Sequence, residues 1–214
     1  YVQTYIQRDV RDLARVGDEL AFLRFLRAAA ARTGTLLNLA DLARDTDIAP
    51  NTAKNWLSIL VTSGIVHLME PWFQNRAKRM VKAPKLYFLD TGLASYLTDW
   101  PTPQTLETGA MSGAMLETWV VSELLKSFWH NGHRAPLYYL RNRDGAEIDI
   151  LIQQGDTLIP LEIKKTSNPG RDDIRHFHHV EKLGMKAGPG GVLCLARQAM
   201  PITDRFWSIP ITAI

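Results

Sequence analysis

Gly145-Ala-Glu-Ile-Asp-Ile-Leu-Ile-Gln153, then Gln154-Gly-Asp156, then Thr157-Leu-Ile-Pro-Leu-Glu-Ile-Lys-Lys165 is the stretch that decides the fold. Ala146, Ile148, Ile150 and Ile152 alternate with Glu147, Asp149 and Leu151. Ile159, Leu161 and Ile163 alternate with Glu162 and Lys164. A period of two is that of β-strands. Gly155-Asp156 between them reads as a two-residue hairpin loop, with glycine first as a type II′ turn requires. That closure sets Asp149 opposite Glu162 and Glu147 opposite Lys164, with opposed Cβ atoms about 4.5–5.5 Å apart. Pro160 lacks the N–H of a ladder donor and predicts an edge strand or a bulge.

Two like charges directly opposed destabilise a sheet. A divalent cation between them reverses the sign of that interaction. Mg²⁺ or Mn²⁺ fits, because Mg²⁺ is held by one or two carboxylates completed by water and substrate phosphate. The competing reading is a Glu147–Lys164 ion pair, with Asp149 and Glu162 reaching solvent.

Upstream, the spacing predicts a helix over 113–129 with Leu116, Val120, Val121, Leu124 and Phe128 on its apolar face. Glu117 falls within that face. A carboxylate there is paired, protonated or metal-bound, since an isolated buried charge is costly; otherwise it sits near a helix end and reaches water. Asp149 followed 13 positions later by Glu162-Ile-Lys164, with a glutamate on the preceding helix, is the signature of the PD-(D/E)XK nuclease-like fold. In that chemistry Asp149 and Glu162 ligate metal, and Glu117 completes the shell or orients water. The metal polarises phosphate and acidifies water, and Lys164 positions the nucleophile and offsets charge at phosphate.

The first half reads as mostly helical. Residues 2–16 and 18–32 have amphipathic spacing. Asn38 is placed to cap a helix over 39–44, and Pro50 to start one running to Ser63, stopped by Gly64. This is the outline of a helix-turn-helix. Ala53, Trp56, Leu57 and Leu60 face the core, leaving Asn51, Thr52, Lys54 and Asn55 outward near the N-terminus, where such helices touch bases. Strand-like segments at 65–68 and 85–89 flank a loop carrying Arg76, Lys78, Arg79 and Lys82, with Lys85 at its end and no acid from 71 to 89. That loop suits a wing contacting phosphates. A protein-docking role for the same module is the alternative.

Tyr1-Val-Gln-Thr-Tyr-Ile-Gln-Arg-Asp-Val10, Asn51-Thr-Ala-Lys-Asn-Trp-Leu-Ser-Ile-Leu60, Lys85-Leu-Tyr-Phe-Leu-Asp-Thr-Gly-Leu93, Leu137-Tyr-Tyr-Leu-Arg141, Gly145-Ala-Glu-Ile-Asp149 and Leu161-Glu-Ile-Lys164 together resemble the C-terminal region of a large prokaryotic family of AAA ATPases. The resemblance implies an α/β, multi-domain chain: a winged helix-turn-helix domain over 1–100, a linker over 101–111 containing Pro101 and Pro103, and a nuclease-like domain with a mixed sheet over 112–214. It maps the family pattern onto Glu117, Asp149, Glu162 and Lys164. It implies DNA and an N-terminal ATPase domain as partners, with homo-oligomers possible. A Mg²⁺-dependent endonuclease and a non-catalytic regulatory platform are both compatible with it. ATP would bind only on a domain outside this chain, which has no G-x-x-x-x-G-K-[ST]. The chain opens without Met, inside an expected helix, and reads as part of a longer protein.

Composition bounds the alternatives. The 214 residues are 46% hydrophobic and 22% charged, with net charge +3, which excludes disordered and collagen-like classes. The single cysteine, Cys194, excludes an intrachain disulfide and a multi-cysteine zinc site, and its apolar neighbours suit a buried thiol in a reducing cytoplasm. No run approaches the roughly 20 apolar residues of a membrane span. No G-x-S-x-G occurs. His176, His178 and His179 lie in an expected helix over 171–183 and read as mostly surface side chains, with phosphate contact the lesser alternative. Trp119, Trp129 and Trp207 are expected in the core. Pro210 marks the last expected strand as an edge.

Overall fold

A computed structural model describes residues 18–73, 83–142 and 145–214. The chain divides into two compact units, one of residues 1–68 with 85–119 and the other of residues 69–84 with 120–214. The helix expected over 2–16 lies outside the described residues.

In the first unit α1 (Glu19–Ala30) starts where the Asp18 carboxylate accepts the Ala21 N–H at 2.9 Å. It buries Phe22, Phe25, Leu26 and Ala29. β1 (Thr35–Leu36) leads to α2 (Leu39–Asp45), capped by Asn38, whose side chain accepts the Asp41 N–H at 3.2 Å. α3 (Pro50–Thr62) has proline in its first turn, and the chain leaves it through Gly64 at φ +70°, a left-handed position that suits glycine. Trp56 on α3 meets Phe22 and Phe25 edge-on, with centroids at 5.2 and 5.6 Å. β2 (Val66–Met69) and β3 (Lys85–Phe88) complete a small sheet of order β1-β3-β2. The helix-turn-helix followed by β2 and β3 matches the expectation for the first half, and β1 adds a third strand that was not expected. Asn38→Ala is expected to cost about 1 kcal/mol of stability, read as a lowered urea midpoint; an unchanged midpoint would show that the cap contributes nothing.

α4 (Thr91–Leu97) and α5 (Pro103–Thr108) follow. The stretch expected to be a linker therefore holds a helix. Thr102 and Thr105 cap it reciprocally, with Pro103 in the first turn, and Leu106 packs against the first unit's core. The long α6 (Ser112–His130) begins in the first unit and continues into the second. Its residues Met115, Thr118, Val121, Ser122 and Leu125 are buried, along with Val120. That stripe is turned from the expected face, on which Leu116, Leu124 and Phe128 are only half-buried.

The second unit is a mixed seven-stranded sheet. β4 (Leu137–Arg141), β5 (Glu147–Gln154) and β6 (Thr157–Lys164) form an antiparallel run. After a short 3₁₀ helix (Arg171–Ile174) and α7 (His179–Lys182) come β7 (Lys186–Ala187), β8 (Gly190–Cys194), β9 (Met200–Pro201) and β10 (Phe206–Pro210). The order is β4-β5-β6-β8-β10-β9, with β7 also on β6. β8 runs parallel to β6 on one side and to β10 on the other.

Four expectations are corrected here. Pro160 lies in a central strand. β6 pairs with β7 at residues 157–158 and with β8 at 161–164, so the missing N–H falls where one parallel partner hands over to the next. β10 is also internal, and Pro210 merely ends it. The segment 171–183 is a 3₁₀ turn and one short α-turn rather than a continuous helix. Trp129 and Trp207 are each 42% exposed, not core.

β8 runs between two backbones that leave no room for side chains at its start. A Cβ on Gly190 would stand 2.1 Å from the Pro160 carbonyl oxygen, and one on Gly191 2.1 Å from that of Trp207. Gly191→Ala is therefore expected to destabilise by about 1–3 kcal/mol. A wild-type melting curve for this variant would contradict the packing. Among the described residues no helix is long and apolar enough to cross a membrane.

Candidate functional site

The hairpin puts three of the four expected site residues at one end of the sheet. Gly155 takes φ +60°, and the ladder is registered from Gln154–Thr157 to Ile150–Leu161, the closure read from the sequence. Past Ile150 a side chain takes over. The Asp149 carboxylate accepts the Ile163 N–H at 2.9 Å, in place of a simple cross-strand pairing with Glu162. Glu147 is registered with Arg141 on β4.

Lys164 Nζ donates to Glu162 Oε1 at 2.8 Å, so the lysine bonds to the acid two residues before it. Asp149 and Glu162 are both 8% exposed. Burial raises the Glu162 pKa, the negative charge of Asp149 raises it further, and the Lys164 hydrogen bond only partly offsets them, leaving it at about 7. Burial works against the charge on Lys164. The hydrogen bond and charge of Glu162, with Asp149 and Asp173 further off, outweigh it and hold that ammonium above the ordinary lysine range. Glu162 thus holds a proton near neutrality. Among the described residues no group of three or more His, Cys, Asp or Glu is placed to hold a metal.

Glu117 belongs to the first unit. Tyr87 Oη donates to its Oε1 at 2.5 Å and Lys85 Nζ donates to the same oxygen at 3.1 Å. Lys85 is buried and Glu117 partly so, with side-chain exposures of 4% and 17%. The carboxylate on the helix is paired, one of the states expected for it. Lys85, counted with the basic loop in the sequence, is a core cation. Its alternation with Tyr87 on β3 was the signal that the two share a face. Beside them Thr33 and Thr118 are buried with their hydroxyls 2.8 Å apart. Thr118 donates to the Ala114 carbonyl and Thr33 accepts the Phe88 N–H, so Thr33 is the donor between the two.

On α3, Asn51, Lys54, Asn55 and Ser58 are exposed and Thr52 is half-buried, an outward polar face at helical spacing. Arg76, Lys78, Arg79 and Lys82 lie outside the described residues. Cys194 is buried and free.

Comparison with known proteins finds two stretches of the chain similar to family models. Residues 1–104 match the model of a domain of unknown function (DUF8612), and residues 112–214 match that of another (DUF4143). The uncharacterized protein Rv2008c of Mycobacterium tuberculosis is 34% identical over 172 residues. The uncharacterized protein Mb2031c of Mycobacterium bovis is similar to the same extent. The matched region is 79% of this chain and 37% of each relative, so the chain spans little more than a third of the curated relatives it matches. No solved structure matches.

Proposed function

We propose that this chain is the C-terminal portion of an AAA-type ATPase, joining a DNA-binding winged helix to a Mg²⁺-dependent, PD-(D/E)XK nuclease-like domain that cleaves phosphodiester bonds. The observation that carries the proposal is the buried Asp149–Glu162 pair with Lys164 bonded to Glu162. Asp149 and Glu162 are the residues that would hold the metal, while Glu117 is engaged by Lys85 and Tyr87. When bound, Mg²⁺ or Mn²⁺ supplies Lewis-acid polarisation of phosphate and an acidified water. Lys164 offers a cation that can turn from Glu162 towards a phosphate oxygen. Asn51, Thr52, Lys54 and Asn55 of α3 meet the bases, and the loop with Arg76, Lys78, Arg79 and Lys82 meets the backbone. ATP is used by a domain outside this chain.

The test is cleavage of plasmid DNA with Mn²⁺. Wild type is expected to nick it, and Glu162→Ala to lose nicking while keeping DNA affinity. Equal nicking by both would point to a contaminant and overturn the catalytic role. A second reading, a non-catalytic DNA- or protein-interaction module regulating the ATPase, is favoured by one observation: among the described residues no third acid joins the pair. It predicts DNA binding without cleavage. On either reading, neutralising Arg76, Lys78 and Arg79 should weaken DNA affinity and flatten its salt dependence; an unchanged salt slope would remove the wing from the interface.

A further inference from the structure

The segment 171–183 covers the sheet on the carboxylate side. Glu162 is registered with Val192 and Lys164 with Cys194, and residues opposed in register share a face. Val192 and Cys194 lie in one core cluster with Ile174, Phe177 and Val180. Those three apolar residues recur every third position and pin the segment down. The positions between them carry Arg175, His176 and His178 outward, with Arg175 and His178 exposed and His176 half-buried.

These side chains are organised. Arg175 Nε donates to His176 Nε2 at 3.1 Å, so the proton of a neutral His176 ring sits on Nδ1. His178 Nδ1 lies 2.6 Å from the Arg175 carbonyl. A carbonyl only accepts, so Nδ1 donates. Burial, then the charges of Arg175, His178 and Lys164, lower the His176 pKa against the pull of Glu147. The ring therefore stays neutral and the guanidinium stays its donor. Elsewhere in this unit Lys186 pairs with Asp156 and Arg205 with Glu181. Among the described residues no carboxylate pairs with Arg175. An exposed guanidinium oriented by an imidazole, on the covered side of a carboxylate–lysine site, is suited to a phosphate oxygen.

We propose that Arg175, with His176 and His178, is a phosphodiester-binding ridge that holds the DNA backbone beside Asp149, Glu162 and Lys164. The inference rests on the nuclease-like reading and names a substrate contact for that site. The test is the salt dependence of binding to a short fluorescein-labelled DNA duplex by the 214-residue chain. Arg175→Ala is expected to flatten the log–log salt slope by about 0.9, the change for one lost phosphate contact. Arg175→Lys, which keeps the charge, should retain the slope. Both slopes equal to wild type would overturn the ridge. Loss in both variants with reduced helical content would mark Arg175 as a folding residue and overturn it as well. Calorimetry with Mn²⁺ alone separates the two readings: metal binding with an unchanged Arg175→Ala slope rejects only the ridge. Neither metal nor DNA binding in wild type rejects the nuclease-like reading and the ridge with it.

Discussion

Replacing Glu117 by alanine is expected to destabilise the first unit by about 3–5 kcal/mol, the range for breaking a buried ion pair by removing one partner. The Lys85 ammonium is 4% exposed and would stay in the core without the Glu117 carboxylate. The Tyr87 hydroxyl would lose its 2.5 Å acceptor at the same time. The loss falls on a desolvated ammonium, so removing both charges should cost less. Lys85→Met with Glu117→Leu is expected to recover most of the loss, since apolar replacement of a buried pair is often neutral or better. Urea denaturation followed by circular dichroism compares the three proteins. A single variant within 1 kcal/mol of wild type would show that this pair is not a buried ionic contact.

The second large effect is a pH-dependent metal affinity. With the Glu162 pKa at about 7, a metal arriving at lower pH must displace a proton. Mn²⁺ affinity is expected to fall by about tenfold per pH unit below 7, one proton being released per ion bound, and to level off above it. Stability of the metal-free protein has a defined sign too. The folded pKa lies above the ordinary 4.5, so the folded state binds the extra proton. That stabilisation is complete below pH 4.5 and is lost as pH rises through 7. Glu162→Gln, neutral at every pH, should flatten the loss. Calorimetric titrations at several pH values and matching urea curves read both. An affinity independent of pH between 5 and 8 would contradict a metal site that includes a protonated Glu162.

Local signals made much of this legible. The alternation on both sides of Gly155-Asp156 specified the hairpin, its register as far as Ile150–Leu161 and the common face of Glu162 and Lys164, but not the Asp149–Glu162 and Glu147–Lys164 oppositions. Asn38, Pro50 and Gly64 marked the helix ends where they fall. Non-local pairing was not legible. Pro160 argues against a central strand until β7 and β8 are known to share β6 in succession. Glu117 reads as a lone acid in a helix because its partners, Lys85 and Tyr87, are about 30 residues upstream. His176 and its neighbours look like one helix because Ile174, Phe177 and Val180 suit a 3₁₀ period as well as an α one. Trp129 and Trp207 show that size and hydrophobicity do not ensure burial.

The most direct measurement is calorimetric titration of Mn²⁺ into wild type and Glu162→Ala at a pH above 7, without DNA or nucleotide. A carboxylate metal site predicts a binding isotherm in wild type that is absent from the variant. Equal isotherms, or none in either protein, would contradict metal binding by Asp149 and Glu162.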